Sequence, residues 1–88
     1  MKARVEMGHK GPALVLPFDP GATWGVQPKP MPFFGSTIDG FPARGTIAGE
    51  VWEGWIGRQK GAHFILLSKQ QAGKHRLGSE VEVQIYPR

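Results

Sequence analysis

The sequence lacks cysteine, so no disulfide stabilises the fold and no cysteine is present to serve as a metal ligand. It also lacks any apolar run close to the ~20 residues that a membrane-spanning helix requires. The opening residues 1–6 alternate charged with small apolar side chains, which is unlike the apolar core of a signal peptide. These absences predict a cytoplasmic protein that has no membrane partner.

Basic residues are not concentrated in any one segment. Eleven lysines and arginines are scattered along the chain and, set against seven acidic residues, give a net charge of +4. Because a nucleic-acid interface usually gathers its positive charge on one helix or stripe, this distribution predicts weak, non-specific binding to nucleic acid at most.

Glycine and proline are the residues present in excess, with thirteen and eight copies among 88 residues. This composition favours short strands joined by frequent turns, and it is not typical of a helical bundle. The length fits a single domain, residues 1–88, which we expect to exist as a monomer or a homodimer.

The most informative local pattern is Asp39-Gly40, which separates two runs rich in apolar and β-branched residues. Both central positions of a type I′ turn need positive φ, which glycine adopts freely and aspartate tolerates. The pattern predicts a hairpin with arms at residues 33–38 and 41–47. In the second arm one face carries Phe41, Ala43, Gly45 and Ile47.

Four further segments have strand character, namely residues 2–7, 12–17, 62–67 and 80–86. Two short helices are predicted, one beginning at Pro20 after an Asp19 N-cap and one over residues 69–75 after a Ser68 N-cap. Six strands of this length predict a small, closed or nearly closed antiparallel β-barrel, since closure removes exposed strand edges. Its predicted core consists of Ile38, Ile47, Phe64, Leu66, Val81, Val83 and Ile85.

Four segments together resemble a known family: residues 14–19 with Trp24-Gly25, residues 37–45, residues 66–69 and residues 77–83. The chain is similar to a small prokaryotic β-barrel family, a domain of unknown function often fused to an OmpD-associated bacteriocin-protection domain. The resemblance implies a split-barrel fold, an architecture shared with the swapped-hairpin DNA-binding domains of bacterial transition-state regulators. It implies no catalytic residues. Relative to this family, the segment 48–61 is longer and carries two tryptophans.

Residues that could support catalysis show no catalytic arrangement. His9, His63 and His75 have no metal-ligand spacing, and turn or capping roles explain the serines. The glycine-rich stretches lack the strand-to-helix context of a phosphate loop. We therefore expect no metal site, no cofactor and no enzyme activity.

One local match gives an enzyme alternative. Residues 83–87, with the sequence Val-Gln-Ile-Tyr-Pro, resemble the active-site strand of the plasmid-borne, trimethoprim-resistant dihydrofolate reductases. The resemblance implies a tetramer with a central pore, in which Gln84, Ile85 and Tyr86 contact folate and nicotinamide. A strand of alternating apolar residues also accounts for Val83 and Ile85 without any enzyme.

The function we favour is a non-catalytic binding module for a flat anionic or aromatic small molecule. Two tryptophans lie three residues apart, with basic side chains and a histidine shortly after them, and aromatic planes beside cations suit such a ligand. The alternative explanation is that both tryptophans simply fill one end of the barrel. A DNA-binding regulator of the swapped-hairpin type is a second alternative. The candidate ligand-binding residues are Trp52, Trp55, Arg58, Lys60 and His63.

Overall fold

Strands make up most of the computed structural model, which describes all residues, 1–88. Strand residues account for 59% of the chain and helical residues for 12%, so the prediction of a mainly antiparallel β fold with short helices is confirmed. The elements in chain order are β1 (Lys2–Gly8), β2 (Gly11–Val15), α1 (Pro20–Trp24), β3 (Lys29–Phe33), β4 (Ser36–Ile47), β5 (Glu50–Gln59), β6 (Ala62–Leu66), α2 (Lys69–Lys74) and β7 (Glu80–Pro87).

The seven strands form one antiparallel sheet in the order β3-β4-β5-β6-β2-β1-β7. A further pairing between β4 and β7 joins the two sides of this sheet, so six strands close into a ring and β3 remains as an added edge strand. β4 can pair with both β3 and β7 on the same side because its first half pairs with β3 and its second half pairs with β7.

The interior of the ring is filled by one face of each strand. The predicted inward face of β7 is confirmed, and its outward residues Glu80, Glu82, Gln84 and Tyr86 are exposed. Phe41, Ala43 and Ile47 of β4 also point inward, as predicted. The largest fully buried side chains are Phe41, Leu14, Ile47, Ile56, Ile65, Val5, Val83 and Pro20.

The two helices close opposite ends of the ring. α1 follows β2 and α2 follows β6, and these strands are antiparallel neighbours. Trp24 of α1 and Ala72 of α2 pack against the core from the two ends. Both predicted N-caps are confirmed: the Asp19 carboxylate accepts from the first-turn amides of α1, and Ser68 forms a capping box with Gln71.

An ion pair links α2 to the start of β5. The Nζ of Lys74 donates to the Glu50 carboxylate at 2.7 Å. This hydrogen bond and the positive charge of Lys74 hold the pKa of Glu50 below its ordinary value. Both side chains are about half exposed, so the pair orients the helix more than it stabilises the fold.

The predicted turn at Asp39-Gly40 is wrong, because β4 runs through both residues without a break. The tight turns lie instead at Phe34-Gly35, Ala48-Gly49 and Lys60-Gly61, where both residues of each pair have positive φ. Residues 36–38 of the first predicted arm and the whole second arm, residues 41–47, therefore belong to one long strand, whereas residues 33–35 form the end of β3 and the turn before β4. Two strands were missed, namely β3 and β5.

The predicted facing of β6 is also wrong. Ile65 and Leu67 point into the ring, whereas Phe64 and Leu66, which were assigned to the core, are half-buried on its outer face. Ile38 is likewise half-buried and contacts the outer face. The run 62–67 is apolar on both faces, and the outer face is apolar because another part of the chain covers it.

Candidate functional site

The hairpin of β3 and β4 folds over the outer face of β5 and β6. Phe33 of β3 is only 8% exposed, and its ring lies 5.7 Å from that of Phe64, in an edge-on arrangement. Glycine at position 57 makes this approach possible, since a Cβ there would lie 2.8 Å from the Phe64 ring and 3.1 Å from Ile38. A second apolar layer therefore lies outside the ring.

β5 and β6 separate beneath this layer. They pair only over Gly57–Gln59 and Ala62–Phe64, so residues 50–56 of β5 have a partner on the β4 side alone. A cavity of about 320 Å³ lies at this split, and we call it the tryptophan cavity. No charged residue lines this cavity. Its walls carry five aromatic side chains, those of Phe33, Phe34, Trp52, Trp55 and Phe64.

A neighbouring glycine leaves space for the ring of each tryptophan. The Trp52 ring lies over Gly54, where a Cβ would come within 2.9 Å of it. The Trp55 ring and the sulfur of Met31 both lie close to Gly40 of β4. Trp52 also packs against the interior core, and both side chains are half-buried.

A second cavity, of about 500 Å³, adjoins the first and is called the lysine cavity here. The two share Phe33, Phe64 and Leu66 as lining residues. Ala13 and Val15 of β2 add to its apolar floor, and polar side chains complete its lining, including Glu6, His9, Lys10, Gln59 and Lys60.

The two lysines of the lysine cavity form no ion pair within the protein. Lys10 and Lys60 take part in none of the five ion pairs of the structure. The ammonium group of Lys10 lies 5.5 Å from the centre of the Phe34 ring, within the range of a cation–π contact. Phe34 lines the tryptophan cavity, so this contact links the two cavities.

Three of the five predicted site residues line these cavities. Trp52 and Trp55 share the tryptophan cavity, and Lys60 lines its neighbour. The other two, Arg58 and His63, line neither cavity. Arg58 instead pairs with the Asp39 carboxylate across the β4–β5 ladder.

His63 lies at the end of the ring that α1 covers. Its side chain is 11% exposed, and its Nε2 is 3.6 Å from the Asp19 carboxylate, too far for a hydrogen bond. The imidazole centre lies 6.0 Å from that of the Phe41 ring. His63 thus packs within the fold, away from the two cavities.

The β7 residues on which the reductase alternative depends lie on both faces of the strand. Val83 and Ile85 are buried in the ring, whereas Gln84 and Tyr86 lie exposed on its outer face beside Thr46 and Arg44 of β4. This outer face is distinct from the walls of both cavities.

Sequence reasoning missed the aromatic and basic residues that complete the site, namely Phe33, Phe34, Phe64 and Lys10. The relevant signal was the run 62–67, which is apolar at successive positions and so has two faces to bury. A second apolar face on a strand requires a second covering layer.

No cluster of three or more histidine, cysteine, aspartate or glutamate side chains is arranged to hold a metal ion. Neither helix has the length and apolar character needed to cross a membrane. Comparisons of the chain with family models, curated proteins and solved structures found no significant match.

Proposed function

We propose that this chain is a binding module for a flat aromatic small molecule, which it takes up in the tryptophan cavity. The observation that carries the proposal is the uncharged wall of five aromatic side chains at the split between β5 and β6. Its volume of about 320 Å³ lies at the lower end of the range of small-molecule pockets.

The physical basis is contact between the ligand ring and the aromatic walls. Such pairs contribute about 0.5–1.5 kcal/mol each beyond the burial of apolar area. The glycines at positions 40 and 54 leave the space that the rings of Trp55 and Trp52 occupy in the cavity wall. The proposed role needs neither a cofactor nor a reactive group.

The relationship to the small prokaryotic β-barrel family is part of this proposal. Its four segments contribute to β2, β4, β6 and β7, and to the helices and loops that adjoin β2, β6 and β7. The segment that departs from the family pattern, residues 48–61, forms β5 and its turns, and it supplies both tryptophans of the cavity. A binding role specific to this chain is therefore expected to depend on β5.

The test uses N-phenylnaphthylamine, an uncharged aromatic dye that fluoresces in apolar sites. We expect saturable binding to the wild-type chain. Replacing Trp55→Leu should weaken it about fivefold, which corresponds to the loss of about 1 kcal/mol of ring contact. Trp24→Leu is the matched control, because Trp24 packs at the α1 end and should leave the dye affinity unchanged.

A second measurement locates the dye. In the double variant Trp24→Phe with Trp52→Phe, only Trp55 emits, and the dye should quench it saturably at the same concentration that raises dye fluorescence. Absence of dye binding, or equal loss of affinity in the Trp55 and Trp24 variants, would contradict the proposal.

A further inference from the structure

The two adjoining cavities differ in polarity. The tryptophan cavity has no charged lining residue, whereas the lysine cavity carries Lys10 and Lys60 without ion-pair partners. Phe33, Phe64 and Leu66 line both, so the apolar surface continues from one cavity into the other. A ligand that occupied both would meet apolar surface along its length and positive charge at one end.

The turns at the rims of the cavities carry unexpected residues. Phe34 and Lys60 each occupy the first position of a two-residue turn, with φ of 48° and 50°. Asparagine, aspartate or glycine is preferred there, because other side chains are strained at positive φ. The third turn of this kind carries Ala48, which lines neither cavity.

We infer that the two cavities form one site for an organic monoanion with an extended apolar body. The aromatic walls of the tryptophan cavity hold the body, and the anionic group lies between Lys10 and Lys60. This inference rests on the proposed function, since the body of the ligand uses the same aromatic walls.

Glu6 limits the charge of the ligand. Its side chain belongs to the lining of the lysine cavity and takes part in no ion pair. Two lysines and one glutamate give the lining a formal excess of one positive charge, which a single carboxylate or sulfonate matches. A second negative charge on the ligand would be left unbalanced.

The test compares dansyl-undecanoate with its methyl ester, two fluorescent probes that share an apolar body and differ by one negative charge. We expect the acid to bind about fivefold more tightly than the ester, because partly exposed ion pairs contribute modestly. The difference should shrink as the salt concentration rises. The Glu6→Gln variant should bind the acid more tightly and the ester unchanged.

The Lys60→Asn variant separates binding from folding. Asparagine followed by glycine is the preferred pair for this turn, so the melting temperature should rise by a few degrees while the preference for the acid is lost. Ala48→Asn is the matched control, and it should raise the melting temperature and leave both affinities unchanged.

The outcomes distinguish this inference from the proposed function. Equal binding of acid and ester overturns the inference and leaves the aromatic site intact. A preference for the acid that survives Lys60→Asn removes Lys60 from the site and overturns the inference as stated. Failure of both probes to bind, with N-phenylnaphthylamine still bound, overturns the inference and leaves the proposed function standing. Failure of all three compounds overturns both.

Discussion

Two glycines on the outer face of the sheet show how a missing side chain shapes this molecule. A Cβ at Gly40 would lie 2.3 Å from the Met31 sulfur and 3.1 Å from the Trp55 ring, and one at Gly57 would meet Phe64. The glycines therefore admit large side chains from neighbouring strands. Gly40 belongs to the Asp-Gly pair that predicts a turn, yet here glycine is needed for space.

The residue-scale prediction concerns Val83, which is 1% exposed in the interior of the ring. Replacing Val83→Asp would bury an unpaired carboxylate and should lower the free energy of unfolding by several kcal/mol. Gln84→Asp is the control, because its exposed outward position should keep the change within about 0.5 kcal/mol. Urea unfolding of both variants measures the difference, and a Val83→Asp variant as stable as its control would contradict the assigned facing.

At the residue scale, burial was predicted correctly where apolar residues alternate with polar ones along a strand. Val81, Val83 and Ile85 alternate with polar residues, so their burial follows from the period of a strand. Phe64 and Leu66 sit in a run without alternation, and their facing depends on the hairpin that covers them. In the candidate site, both predicted tryptophans line one cavity, but the positions of Arg58 and His63 depend on the neighbours Asp39 and Asp19 from other elements.

Among the elements, β3 shows how an edge strand is protected. It pairs with β4 alone and carries Pro30 and Pro32 at alternate positions. Phe33 and Ser36 flank a two-residue turn and so form a hydrogen-bonded pair, which places the two prolines on the open side. Proline has no N–H to donate, so another strand cannot easily add to this edge.

The element-scale prediction concerns the seam between β4 and β7. A Cβ at Gly45, which has φ of 153°, would lie 1.7 Å from the carbonyl oxygen of Gln84. Gly45→Ala should therefore separate the two strands and destabilise the fold strongly. Gly73→Ala in α2 meets open space and should instead stabilise the chain by about 0.5–1 kcal/mol.

Thermal unfolding monitored by circular dichroism measures both glycine variants. The expected result is opposite shifts of the melting temperature, downward for Gly45→Ala and upward for Gly73→Ala. An unchanged melting temperature for Gly45→Ala would mean that β4 and β7 do not approach each other as closely as described.

At the scale of the whole molecule, the ring closes with strands from one chain. β7 pairs with both β1 and β4, so closure requires no strand from a second copy. An intertwined regulator exchanges strands with a second copy, so closure within one chain argues against that assembly. A reductase tetramer is built from whole barrels, and activity is its test. We expect sedimentation at micromolar concentrations to show a monomer or a homodimer, with no oxidation of NADPH by dihydrofolate. A stable tetramer with Gln84-dependent turnover would instead support the reductase alternative.

The position of β7 also bears on how the chain reaches its fold during synthesis. β7 follows every other strand in the sequence, yet it lies between β1 and β4, and its pairing joins Lys2 with Glu82. A nascent chain therefore cannot complete the ring until β7 has left the ribosome, and until then two strands keep unsatisfied edges. Contacts of such long sequence separation form slowly and expose the growing chain to aggregation. We therefore expect the ring to close only after β7 has followed the other six strands out of the ribosome.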